Sequence, residues 1–216
     1  MSSFPARVDL DGDVAQQKLD ELVLAAAMDA IAERGMAGLR MEDVSRRVGM
    51  SPGHILYYYR SKKLLLLETL RWSDDRLAER RARELPKLVA ATERLKHFIA
   101  IYLPTASRQP EWLLWLQVWA LSAEDPEVSA MTAGLNARWA DDLASIVSYG
   151  SARGEFAQVD ARQFAEEFLA VLDGLSLHVL QDTPALDTER ATQVALDVAS
   201  ARLGLEAPVR DPAARP

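Results

Sequence analysis

The residues with most chemistry to offer lie between Arg40 and Lys63. That stretch holds six basic residues, Arg40, Arg46, Arg47, Arg60, Lys62 and Lys63, against two acidic ones, Glu42 and Asp43. Its charge is +4 in a chain whose net charge is −7, so the remainder carries −11. A basic island on an acidic body suits phosphate contact, because neutralising phosphates releases condensed counterions. His54, Tyr57 and Tyr58 add polar-tipped rings that reach phosphates or base edges. Arg46 and Arg47 read equally well as a solvated helix face. Lys62 sits where a helix dipole disfavours a cation, which a nearby phosphate would explain.

A second set is aromatic. Trp112, Trp115 and Trp119 recur at helical spacing, with Phe98, Tyr102 and Trp139 on neighbouring segments. Such residues most often fill a core. The alternative is a pocket for a flat or cationic ligand, held by ring faces and a few polar groups. Asp173 and His178 interrupt an apolar run and read as satisfied buried or rim residues, or as ligand or pH-sensing groups.

Other chemistries find no support. The chain has no cysteine, which excludes disulfides, thiolate metal sites and cysteine nucleophiles. His54, His97 and His178 are scattered, and Glu93 and His97 are four apart rather than the three of a di-iron helix motif. No nucleophile elbow, zinc-protease motif or glycine-rich phosphate loop occurs. Neither catalysis, a cofactor nor a metal is expected. The longest apolar stretch, Trp112 to Ala123, spans 12 residues, against roughly 20 for a membrane helix. With no secretory pattern at the start, a cytoplasmic protein is expected.

The elements that must position these residues are helical. Apolar residues recur every three or four positions almost throughout, and the fold class is all-α with about nine helices. Leu19, Leu22, Val23, Ala26, Ala27, Ala30 and Ile31 form one helix face, which Gly35 ends. Short helices follow at about 41–48 and 52–58. Gly49 between them can take a left-handed turn; Ser51 can cap the second and Pro52 fits its first turn. Met41, Val44, Val48, Ile55 and Tyr59 point inward. This is a helix-turn-helix layout whose second helix is free to enter a major groove. A longer helix runs from after Ser61 to about Glu84, where Pro86 interrupts it. Further helices are expected near 87–103, 110–123, 126–153, 160–181 and 187–204. Asp125, Asp160 and Asp187 are the caps of the last three, Asp160 with Gln163 resembling a capping box.

Residues 17–70 resemble the TetR/AcrR family of transcriptional regulators. The resemblance rests on Gly49-Met50-Ser51-Pro52-Gly53, the aromatic run Tyr57-Tyr58-Tyr59, Ser61-Lys62 and the leucines 64–67. Three positions depart from the family pattern. Arg40 stands where Thr or Ser is common, Ile55-Leu56 replaces a Leu-Tyr pair, and His54 replaces a small residue.

The resemblance implies a three-helix DNA-binding domain over 14–70 and, joined through a linking helix, a helical-bundle effector-binding and dimerisation domain over 71–205. Loose tails are expected at 1–13 and 206–216. It implies a ligand-responsive repressor acting as a homodimer on a palindromic operator, with a small-molecule effector and no membrane. The expected DNA contacts are Arg40, Arg46, Arg47, Ser51, Pro52, Gly53, His54, Tyr57, Tyr58 and Lys62. The candidate ligand residues are the six aromatics above with Asp173 and His178. The implied dimer interface takes Phe164, Phe168, Leu169, Leu172, Leu175, Leu177 and Val179 from one helix and Val194 and Val198 from the last. A helical adaptor or small-ligand-binding protein without DNA binding remains the alternative, although it would have no need of the basic island.

Overall fold

The computed structural model describes residues 10–107 and 109–205. Among them the chain forms nine α-helices and no strand: α1 (Leu10–Gly38), α2 (Met41–Val48), α3 (Pro52–Tyr59), α4 (Lys62–Glu84), α5 (Ala91–Tyr102), α6 (Pro110–Ser122), α7 (Pro126–Ala152), α8 (Ala161–Leu180) and α9 (Thr188–Leu203). Helix α1 starts at Leu10, inside the stretch expected to be a loose tail; residues 1–9 and the expected tail 206–216 lie outside the described residues.

The punctuation follows local chemistry. Gly35 breaks the helical path of α1 with φ 68° and ψ 175°, a left-handed φ that costs a glycine little. The carboxylates of Asp125, Asp160 and Asp187 accept backbone N–H groups at the starts of α7, α8 and α9, satisfying donors that a helix terminus leaves orphaned. The capping box at Asp160 is only half built. Gln163 turns its amide forward to Glu167 at 2.8 Å rather than back to the cap. Helix α5 starts four residues later than its apolar period suggests. Pro86 cannot continue α4, and Leu85–Lys87 tighten into a single 3-10 turn before Leu88 extends.

Two apolar clusters hold these helices. One joins α5, α7, α8 and α9 around Phe98, Leu143, Phe164, Phe168 and Leu172. The other joins α1 to α4 with α6 and the first half of α7, through Ile31, Val44, Leu65, Leu66, Trp112, Trp115 and Leu135. The helix-turn-helix therefore does not close on a core of its own, because α6 packs into it.

Most residues of the expected dimer interface are covered within the chain itself. Phe164, Phe168, Leu169, Leu172, Leu175 and Val179 are buried inside one chain, between α7 and α9. Only Leu177 of that group is exposed, and Val194 and Val198 lie half-buried against the same core. A helix apolar on two sides is buried on two sides; here neighbours within the chain cover most of that surface and leave Leu177 outward.

Candidate DNA-binding face and effector cleft

The turn between α2 and α3 is built by three residues. Gly49 adopts φ 72° and ψ 24°, and its N–H closes α2 on the Ser45 carbonyl. The Ser51 hydroxyl accepts the His54 N–H at 3.2 Å, and Pro52 opens α3 with no N–H left to satisfy. Ile55 and Tyr59 turn into the core. Burial first, then Asp20 and Glu68, push the Tyr59 phenol up to about 12, so it stays neutral.

The opposite face of α3 is uncommitted. Gly53, His54, Tyr57 and Tyr58 are exposed, Tyr57 at 78%. His54 stacks on Tyr58 at 5.2 Å, and Tyr57 meets Tyr58 edge-on at 5.3 Å. The three rings form a preformed ridge. Ser51 is exposed and Pro52 half-buried.

The basic island divides into committed and free charges. Arg47 reaches across to Glu33 on α1 at 2.5 Å, and Arg46 leans on Asp43 at 3.5 Å. Asp43 is also held by Arg34 at 2.5 Å. Lys63 pairs with Asp125, the cap of α7. Among the described residues Arg40, Arg60 and Lys62 make no ion pair, and all three are exposed around α3. Arg60 escaped sequence reading as a candidate, although its place directly after the aromatic run was the available signal. Arg47 is a brace between α1 and α2 before it is a free cation.

The tryptophans of α6 belong both to the core and to the wall of a cleft. Trp112 and Trp115 are buried in the cluster shared with the helix-turn-helix, yet they also line a narrow cleft. With Trp119, Tyr102, Trp139, Leu77, Ile101, Gln109, Asn136, Glu111 and Asp173 they leave a cavity of only about 30 Å³, open to solvent on one side. The rings meet edge to face: Tyr102 on Trp139 at 4.9 Å, Tyr102 on Trp112 at 5.6 Å and Trp112 on Trp119 at 6.1 Å, a favoured geometry for quadrupoles. Hydrogen bonds hold them. Trp112 Nε1 donates to the Tyr102 carbonyl at 3.1 Å, the Tyr102 hydroxyl to Asp173 at 2.5 Å, and Trp139 Nε1 to Asp74 at 2.7 Å. Burial pushes the Asp173 carboxyl up, opposed by the Tyr102 bond. The Tyr102 phenol is raised by burial and by Asp173.

Two of the expected ligand residues fall elsewhere. Phe98 is fully buried behind the lining, packed on Trp139 and Tyr102. His178 is exposed on α8 and is not part of the cleft wall, because its position on the helix turns it away from Asp173. Glu111 and Asn136 were missed. Each sits beside a lining tryptophan on its own helix, one residue before Trp112 and three before Trp139. The lining carries two carboxylates and, among the described residues, no basic side chain. Among the described residues no helix is long and apolar enough to cross a membrane.

Comparison with known proteins identifies the family. Residues 23–69 match the family model for bacterial regulatory proteins of the tetR family, and residues 91–204 match that for the C-terminal part of BetI-type transcriptional repressors. The HTH-type transcriptional regulator BetI of Escherichia coli K12 is 27% identical over 176 residues, covering 80% of this chain and 87% of that protein. BetI 1 of Chromohalobacter salexigens is 27% identical over 191 residues, covering 84% and 88%. Among solved structures, a protein of Saccharomonospora viridis in complex with choline superposes with a TM-score of 0.80 at 30% identity, covering 87% of this chain and 98% of that one. The chain thus belongs to the TetR family, with a BetI-type repressor C-terminal part, and is a ligand-responsive DNA-binding repressor of transcription rather than an enzyme.

Proposed function

We propose that this repressor acts as a homodimer on a palindromic operator and leaves it when a small organic cation of the quaternary ammonium class, such as choline, fills the cleft. The observation that carries the ligand class is the lining: five aromatic side chains with Glu111 and Asp173 and, among the described residues, no basic side chain. Ring faces attract a cation without hydrogen bonds, which suits an ammonium that has no N–H to donate. The choline held by the Saccharomonospora viridis protein supports the same class.

On the DNA side the reading assigns base and phosphate contacts to the ridge of His54, Tyr57 and Tyr58 on α3. Arg40, Arg46, Arg60 and Lys62 flank it, and the backbone at Ser51, Pro52 and Gly53 makes the approach. The DNA-binding part is taken as 14–70 and the effector part as 71–205, with α4 running through the boundary. The dimer is assigned to the outward stripes of α8 and α9. Ala170, Gly174, Leu177 and His178 are exposed along α8, small enough in part for close helix approach, and Val194 and Val198 stand at the edge of α9. A twofold pair reads two half-sites, which one eight-residue helix cannot do.

Calorimetric titration with choline chloride, alongside gel shift on DNA flanking the protein's own gene, tests this reading. Saturable choline binding and loss of the shifted band are expected. A shift that choline leaves untouched, with no heat of binding, would overturn the ligand class. No shift on any flanking fragment would count against the operator assignment.

A further inference from the structure

Helix α4 grips Trp139 in two ways. Asp74 accepts the indole N–H at 2.7 Å, and the Arg81 guanidinium lies 3.4 Å from the ring centroid. Asp74, Leu77 and Arg81 follow helical spacing and share one face of α4, and Leu77 itself lines the cleft. Both charged side chains are fully buried. Arg81 Nε donates to Asp142 at 2.7 Å. Its Nη1 and Nη2 have no hydrogen-bond partner among the described residues, and neither has Asp74 Oδ2. A buried guanidinium with two orphaned nitrogens is costly, and desolvation pulls its pKa down. An apolar side chain of similar volume would fill the position without that cost. Trp139 is thus a wall of the cleft with one face already taken by a cation.

We propose that Arg81 is a resident cation that competes with a cationic effector for Trp139, and that its displacement transmits occupancy of the cleft to α4. This rests on the reading that the cleft takes a cation. The attraction of a ring for a cation is electrostatic, and two cations at one indole in a low-dielectric site repel. A cationic ligand therefore binds better to the state in which the guanidinium has moved off the ring. A ligand shifts an equilibrium only by such a difference in affinity. The displaced group belongs to the helix that begins at Lys62 and packs against α1 of the helix-turn-helix, so the DNA-binding face feels the change. By linkage, bound DNA opposes the ligand by the same factor.

The test compares the full chain with Arg81→Met and, as a control for charge alone, Arg138→Met. Arg138 pairs with Asp74 and Asp75 and does not stack on Trp139. Choline chloride is the probe. Its affinity is read by calorimetry, and its coupling as the ratio of DNA Kd with and without it. Arg81→Met is expected to bind choline at least fivefold tighter, while DNA release falls to within twofold of none. Arg138→Met is expected to change neither by more than twofold. Arg81→Gln carries the same expectation should the Met variant not fold. Unchanged or weaker choline affinity, undiminished release, or an Arg138→Met that behaves like Arg81→Met overturns the proposal and leaves the cationic effector standing. No choline binding by the wild type or any variant overturns the effector reading and this proposal together.

Discussion

Tyr58 and Lys62 matter because neither side chain has a hydrogen bond or ion pair among the described residues. The Tyr58 ring meets those of His54 and Tyr57, and Lys62 stands exposed beside it. Tyr58→Ala and Lys62→Ala are each expected to weaken operator binding at least tenfold in a gel shift, with choline affinity unchanged. The Lys62 variant should also lower the salt slope by about one, because one phosphate fewer is neutralised. Asp173 carries a prediction with a sign. Its folded pKa is raised by burial, and only its ionised form attracts a cation. Choline affinity should therefore begin to fall at a higher pH than an ordinary aspartate would give, and keep falling as pH drops through the raised value. Asp173→Asn should bind choline about tenfold more weakly and lose that part of the pH dependence; a profile identical to wild type would remove Asp173 from the site. Gly150 is a packing position, since a Cβ there would meet the Phe156 ring at 2.2 Å. Gly150→Ala is expected to lower unfolding free energy by about 1–3 kcal/mol, in the range of overpacked cores, as read by urea denaturation.

Among the elements, α4 and α7 are joined at their N-terminal ends. The first turn of α4 is tied to the cap of α7 by Lys63 and Asp125, and the same carboxylate accepts the N–H groups of Glu127 and Val128. Its pKa is lowered, first by the Lys63 bond and then by the Val128 N–H. A depressed carboxylate stabilises the fold above its unfolded pKa, and the contribution is lost as pH falls through the folded value. Asp125→Ala is expected to lower Tm near neutral pH, with the deficit closing in acid. Asp125→Asn, which keeps the cap and loses the charge pair, should fall between. Equal Tm values for all three at pH 7 would make the pairing ornamental.

At the scale of the whole molecule, the two apolar clusters blur the border between reading DNA and sensing a ligand. Trp112 and Trp115 face the cleft yet belong to the cluster that contains Ile31, Val44 and Leu66 of the helix-turn-helix. A ligand that spreads the cleft thus presses on a shared core rather than on a linker. The proposed homodimer would elute at twice the chain mass, and operator binding should fall by about 10³ or more between 50 and 200 mM salt if six or more phosphates are engaged. A monomer in light scattering at the concentrations used for gel shift would sink the twofold arrangement.

The sequence by itself determined the helices and the DNA-reading turn. Those depend on local rules: the three-to-four apolar spacing, Gly49 where φ is positive, Ser51 and Pro52 opening α3, and aspartates opening the last three helices. Tertiary structure alone decided what the side chains do with their faces. An apolar stripe on α8 says that something covers it, not whether α7, α9 or a second chain does so. A tryptophan at helical spacing packs equally well as core or as wall, and Trp112 turned out to be both. The partners of Arg47, Lys63, Asp74 and Arg81 come from segments 14 to 65 residues away, beyond the reach of any periodicity. The basic island that Arg40 to Lys63 announced is smaller in the fold than in the sequence, because pairing across helices neutralises part of its charge before DNA arrives.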